Sequence, residues 1–143
     1  SWMFSEFGQN FVKTMLRLGR ERNTLSVVAD QIGVPTYADD ISQTIEHMIE
    51  SEPKAQIASG IFHVTAGPTI SWFGFTQNIL ALAHQANSAI DPPKLEKILT
   101  ADYPTAAKRP LFSVLQPSHA MFNTIGFTPD WELGLIEVME KIL

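Results

Sequence analysis

His47, His63, His84 and His119 are the side chains best suited to acid–base or metal chemistry, yet no two stand at the spacing that lets a pair share a metal ion. Each is read as a surface histidine or a satisfied core one. Cysteine is absent, which excludes disulfide frameworks, thiolate zinc sites and a cysteine nucleophile, and suits a reducing compartment. The 8 glycines form neither the Gly-x-Ser-x-Gly elbow of a serine nucleophile nor the Gly-x-Gly-x-x-Gly and Gly-x-x-x-x-Gly-Lys turns that cradle phosphates. A tyrosine can donate a proton when a lysine one helical turn later tunes it, but the fourth residue after Tyr37 is Ile41 and the fourth after Tyr103 is Ala107. No catalytic residue and no metal ligand is assigned in this chain.

Binding chemistry remains. Lys13, Arg17, Arg20 and Arg22 place four of the ten basic residues on or beside one helix, where a solvated face explains them without a ligand. Arg109 stands between Ala107 and Pro110 in a proline-held stretch, ahead of the apolar Leu111-Phe112. A guanidinium fixed there can clamp a diphosphate through paired hydrogen bonds or tie its own loop down, and residue type alone leaves both open. Trp2 can stack on a sugar or a base, or fill core. Trp72 and Trp131 fall on helical stripes and are read as core. Asp39 and Asp40 are read as first-turn carboxylates that complement a helix dipole.

The elements that must hold these residues follow from patterning. A length of 143 residues suits one domain, or half of something larger. Hydrophobic residues make up 45% and charged ones 17%, which excludes disorder and a highly solvated helical array. A net charge of −5 argues against nucleic acid as a partner, because displacing counterions from phosphates needs a basic face. No apolar run approaches the roughly 20 residues of a membrane span, so no membrane is expected and a cytoplasmic location is.

The apolar Ser1-Trp2-Met3-Phe4 reads as a strand entered partway along. Positions 10–22 then carry Phe11, Val12, Met15, Leu16 and Gly19 on one helical face. Leu25-Ser26-Val27-Val28 reads as a strand, followed by a constrained loop through Gly33 and Pro35. Thr36 with Asp39 matches a capping pattern, and Ala38, Ile41, Ile45, Met48 and Ile49 predict a core stripe on a helix ending near Glu50. A polar connection with Pro53 leads to a short strand at 60–64, expected to be covered on both faces. Gly67-Pro68 ends it, and Ser71 caps a helix with Trp72, Phe75, Ile79, Leu82 and Ala86 on its apolar face. Asp91-Pro92-Pro93 is expected to open a short helix. A loop from Tyr103 to Pro117 follows, long enough to have a task. A short helix is expected at 118–125. The last helix is expected to start at Thr128-Pro129-Asp130, with proline in its first position and Trp131, Leu135, Val138, Met139 and Ile142 buried. Alternating strands and helices predict an α/β sheet with crossover connections.

Five ordered blocks also resemble one family. They are Ser1-Trp2-Met3-Phe4 with Asn10-Phe11-Val12-Lys13-Thr14-Met15-Leu16-Arg17-Leu18, then Val28-x-Asp30-Gln31-x-Gly33-x-Pro35-Thr36, and Gly60-Ile61-Phe62-His63 with Gly67 and Ser71-Trp72. Tyr103-Pro104-Thr105-x-Ala107-x-Arg109-Pro110-x-x-Ser113-x-Leu115 and Pro129-Asp130-Trp131 complete the set. Together they resemble dTDP-4-dehydrorhamnose reductases of the extended short-chain dehydrogenase/reductase superfamily.

The resemblance implies the C-terminal part of a Rossmann-type α/β reductase over residues 1–143, with late parallel strands and a small mixed substrate-binding domain. It implies reduction of dTDP-4-dehydro-L-rhamnose to dTDP-L-rhamnose by NADPH or NADH, for cell-surface polysaccharide. The glycine-rich turn and the tyrosine–lysine pair belong to an N-terminal half that the pattern here lacks, so this segment alone is expected to be inactive. By the same resemblance, Trp2 lines the sugar pocket, Ser1 lies on the cofactor side, and Gln31, Pro35, Tyr103 and Arg109 border the nucleotide sugar, with Arg109 on its diphosphate. Some family members bind magnesium at a homodimer contact through the helix after Pro-Thr. Asp39 fits that pattern, whereas Gln43 stands where a second carboxylate is expected. The resemblance extends to the regulatory β subunit of methionine adenosyltransferase, so a non-catalytic regulatory subunit is the alternative. A free-standing nucleotide-sugar binding module is the other.

Overall fold

A computed structural model describes residues 1–51, 59–65, 67–88 and 91–143. The elements in order are β1 (Met3–Phe4), α1 (Phe11–Glu21), β2 (Thr24–Val28), β3 (Ile32–Gly33), β4 (Thr36–Tyr37), α2 (Ala38–Ser51), β5 (Ile70–Ser71), α3 (Trp72–Ala86), β6 (Lys94–Ile98), a 3-10 turn (Thr100–Asp102), α4 (His119–Ile125) and α5 (Trp131–Ile142). Strands β1 and β4 pair in parallel, as do β2 and β6, while β3 and β5 are antiparallel. The architecture is α/β, with parallel pairs joined through helices as the alternation predicts.

Helix α1 forms where Asn10 ends an extended stretch and its side chain accepts the Lys13 amide at 3.2 Å. Val12, Met15, Leu16 and Gly19 are buried, on the face that spacing predicts. Gly19 lies at a close helix crossing, where a Cβ would stand 2.8 Å from Leu80 Cδ2 on α3 and that side-chain end would have to shift. The main core joins Phe4, Val12, Tyr37, Phe75, Ile79, Trp131, Leu135 and Val138. A second cluster gathers Leu25, Val27, Phe73 and Leu80 between β2 and α3.

Five expectations need correction. Only Met3–Phe4 of the opening segment is strand, because Trp2 takes φ +56°, which no strand continues through. The stripe on helix α2 holds only in part: Ala38, Ile41 and Met48 are half-buried, with Met48 packed on Met121, Phe122 and Ile125, whereas Asp40 and Thr44 are buried and Ile45 and Ile49 are 51% and 70% exposed. Burial is tolerated because Asp40 accepts the Asp130 amide at 3.3 Å and the Thr44 hydroxyl bonds the Asp40 carbonyl at 2.6 Å. Residues 60–64 join no ladder and Ile61 is 90% exposed, although the His63 amide donates to Ser118 Oγ at 2.8 Å. Beyond Asp91-Pro92-Pro93 the chain is strand β6 instead of helix, since Lys94–Ile98 gains a five-residue register with β2. Pro129 precedes the cap instead of occupying the first helical turn: Asp130 caps α5, accepting the Glu132 and Leu133 amides. The connection at Pro53 lies outside the described residues.

Candidate functional site

Four segments distant in sequence converge around Gly33. The first is Ser1-Trp2. Trp2 is half-buried, and its left-handed backbone costs a bulky residue about 1–2 kcal/mol. Its carbonyl accepts the Thr36 amide at 3.2 Å. Ser1 is exposed and bound to the same strand, its nitrogen donating to Thr36 Oγ1 at 3.1 Å and its hydroxyl to the Val34 carbonyl at 3.3 Å.

The second segment is β5 running into α3. Pairing of Ile32 with Ser71 and Gly33 with Ile70 brings Trp72 beside Trp2. Their rings stack with centroids 3.7 Å apart and planes 15° from parallel. Phe11 leans on Trp72 at 4.4 Å. A Cβ at Gly33 would lie 2.6 Å from Trp2 Cε2 and 2.9 Å from Ser113 Oγ, so this position must be glycine for the indole to lie where it does.

The third segment, Asp30 to Tyr37, is pinned to the fourth, residues 100–113, at two places. Asp30 accepts the Thr100 amide at 2.9 Å and the Thr100 hydroxyl at 2.7 Å. These bonds, the hydroxyl's foremost, hold the Asp30 carboxyl below its ordinary value. Gln31 Nε2 donates to Thr100 Oγ1 at 3.1 Å. At the far end, the Ile32 amide donates to the Leu111 carbonyl at 2.8 Å, and the Ser113 amide returns to Ile32 at 2.9 Å. The chain between these anchors carries Tyr103, 56% exposed, and Arg109, exposed and without a hydrogen-bond or ion-pair partner among the described residues.

The sequence-derived residues therefore separate. Trp2 is half-buried, while Tyr103 and Arg109 are exposed. Gln31 is half-buried and its amide is committed to Thr100. Pro35 is fully buried, its ring packed inside the chain. Trp72, on its helical stripe, is half-buried and packs against both core clusters; it follows directly on β5, whose pairing with β3 brings it to Trp2.

Among the described residues no three His, Cys, Asp or Glu side chains gather where they could hold a metal. Asp39 is exposed and accepts Gln43 Nε2 at 2.8 Å. Asp40 points inward, and burial pushes its carboxyl up to about 6, with Glu137, Asp130 and Asp39 adding to the rise. On the basic side of α1, Arg17 pairs with Glu21 at 2.7 Å and Lys13 donates to the Glu6 carbonyl, as a solvated face does. A shallow concavity of about 420 Å³ there, lined by Lys13, Arg17 and Arg20, touches none of the converging segments.

Residues 1–143 match a family model described as the RmlD substrate binding domain. The chain is 42% identical over 137 residues to a dTDP-4-dehydrorhamnose reductase of Aggregatibacter actinomycetemcomitans, covering 94% of this chain and 46% of the relative. It is 40% identical over 136 residues to one of Sinorhizobium fredii, covering 92% and 45%. A crystal structure of dTDP-4-dehydrorhamnose reductase from Bacillus anthracis in complex with NADP superposes with a TM-score of 0.81 at 36% identity, covering 99% of this chain and 46% of that one. The chain thus spans about half the length of the curated relatives it matches.

Proposed function

The chain belongs to the RmlD substrate-binding domain family, and from that membership we propose that it is the nucleotide-sugar-binding part of a dTDP-4-dehydrorhamnose reductase. The carrying observation is the convergence at Gly33. An aromatic stack lies beside a doubly anchored loop whose arginine has no partner among the described residues. An indole face suits the C–H-rich face of a 6-deoxyhexose. A free guanidinium suits the diphosphate that joins sugar to nucleoside.

The whole reductase reduces the 4-keto group of dTDP-4-dehydro-L-rhamnose at the expense of a nicotinamide cofactor. The residues present do not fit that cofactor's cradle. No Gly-x-Gly-x-x-Gly turn occurs, and the β1–α1 connection is closed on itself, with the Phe7 amide donating to Ser5 Oγ and Asn10 Nδ2 to the Ser5 carbonyl. We therefore place the nicotinamide and the acid–base pair on residues outside this segment, while the Ser1 hydroxyl donates to the Val34 carbonyl at 3.3 Å. Magnesium is likewise assigned no step, since the Asp39 carboxylate faces an amide instead of a second carboxylate. What this segment does is hold the sugar nucleotide still and in one orientation, a contribution of proximity.

Calorimetric titration of the chain with dTDP-L-rhamnose tests this. Arg109→Ala is expected to weaken both dTDP-L-rhamnose and dTDP by about tenfold, the loss of one charge-assisted contact. Trp2→Ala is expected to weaken the sugar-bearing ligand alone. Failure of either ligand to bind at millimolar concentration would sink the reading.

A further inference from the structure

We propose that Trp72 is a positioning residue of the sugar subsite, which acts by fixing the plane of the Trp2 indole. The proposal rests on the reading that Trp2 meets the sugar. Trp2 is poorly held by its own backbone, because φ +56° is a conformation that a bulky residue seldom keeps unaided. One backbone hydrogen bond, from the Thr36 amide at 3.2 Å, fixes its carbonyl and leaves the side-chain torsions free. The ring is set instead by its neighbours: Trp72 stacked at 3.7 Å, and Gly33, which leaves no room for displacement toward it.

Trp72 is itself rigid. It is the first residue of α3, where Ser71 Oγ accepts the Gly74 amide at 3.0 Å and the Trp72 carbonyl accepts the Thr76 hydroxyl at 2.9 Å. Phe11 braces it at 4.4 Å. The buried face of α3 is carried by Phe73, Phe75, Thr76, Ile79, Leu80 and Ala83, and Trp72 is only half-buried beside it. Trp72 also packs against both core clusters, which anchors it to the fold. Trp72 is placed where it transmits the helix's rigidity to Trp2.

The test uses the 143-residue chain and two ligands, dTDP-L-rhamnose and dTDP, whose affinity ratio isolates the sugar. Trp72→Ala is expected to lower that ratio by about tenfold while dTDP affinity stays within about twofold, the scale of one aromatic contact. Trp72→Phe, which keeps a flat ring, is expected to restore the ratio to within about threefold. The far-ultraviolet circular dichroism couplet of two stacked indoles should vanish in Trp72→Ala and in Trp2→Ala alike. Should Trp72→Ala fail to fold, Trp72→Leu keeps bulk without a stacking plane, and the same loss of ratio is expected.

Three results overturn the proposal. An unchanged ratio in the Trp72 variants, with a collapsed one in Trp2→Ala, removes Trp72 and leaves the sugar reading intact. A parallel fall in both affinities, tracking a lower melting temperature, makes Trp72 merely structural. An unchanged ratio in Trp2→Ala itself removes the sugar reading, and the role of Trp72 with it.

Discussion

At Gly33 the chain passes within van der Waals reach of a braced indole, so adding one methyl group tests the whole arrangement. A Cβ would meet two carbons of the Trp2 ring at 2.6 and 2.7 Å, and a shift of that ring disturbs its stack on Trp72, with centroids 3.7 Å apart. Gly33→Ala is expected to destabilise the chain by about 1–3 kcal/mol through overpacking. Urea unfolding measures this, and equal midpoints for the variant and the unaltered chain would contradict it. Asp40 offers a second test, with the sign set by its raised carboxyl. Burial favours the protonated form in the folded state, so the folded chain holds this proton up to about pH 6, whereas the unfolded chain releases it near the ordinary carboxylate value. Stability from this group therefore falls as pH rises from about 4 to about 6 and is flat above that, a loss of about 1–2 kcal/mol once partial solvation is allowed for. Asp40→Asn still accepts the Asp130 amide, and melting curves between pH 4 and 8 should lack that slope, with the variant more stable at the alkaline end. Asp30 acts in the opposite sense and in a lower window. Its lowered carboxyl contributes stability that is lost only on acidification below the ordinary value.

Helix α3 carries Trp72 to the site, and its start depends on one hydroxyl. Ser71→Ala removes the acceptor of the Gly74 amide and is expected to cost about 1 kcal/mol, read by urea unfolding. On α2 the expectation runs the other way. Replacing both exposed Ile45 and Ile49 with lysine should change stability by less than about 0.5 kcal/mol each, whereas a core stripe would lose several times that. The contrast shows what patterning can convey. Helices α1 and α5 were legible because their buried residues are apolar and their caps, Asn10 and Asp130, are local. The inward place of Asp40 on α2 was not, because it is decided by a partner 90 residues away: the Asp130 amide satisfies Asp40 and lets a carboxylate be buried on a helix where Ile45 and Ile49 are not. β6 escaped for the same kind of reason, since five residues after two prolines become strand only through β2. At the site, residue type and setting single out Trp2 and Arg109, and the fold leaves Trp2 half-buried and Arg109 exposed. The Trp2–Trp72 stack was not legible, as it depends on the pairing of β3 with β5.

At the scale of the molecule, the described strands form three separate two-stranded pairs, with Met3, Phe7, Ile61 and Phe112 exposed around them. Parallel strands are ordinarily buried on both faces within larger sheets, and bare edges invite another chain to pair. The relatives are about twice as long as this chain, and this sequence holds neither a Gly-x-Gly-x-x-Gly turn nor a tyrosine with a lysine four residues on. One expectation follows from both facts. The chain alone should bind the sugar nucleotide and consume no NADPH. Joined in one polypeptide to the upstream half of the Bacillus anthracis reductase, it should reduce dTDP-4-dehydrorhamnose with NADPH. Its melting temperature should also rise by about 5 °C, roughly 2 kcal/mol, as the strand edges become paired. Absorbance at 340 nm and calorimetry read the two effects independently. Turnover by the isolated chain would overturn the placement of the acid–base pair outside it. A hybrid that turns over without any gain in stability would show instead that the exposed apolar residues are indifferent to the upstream half and that only the aromatic shelf at Gly33 communicates with it.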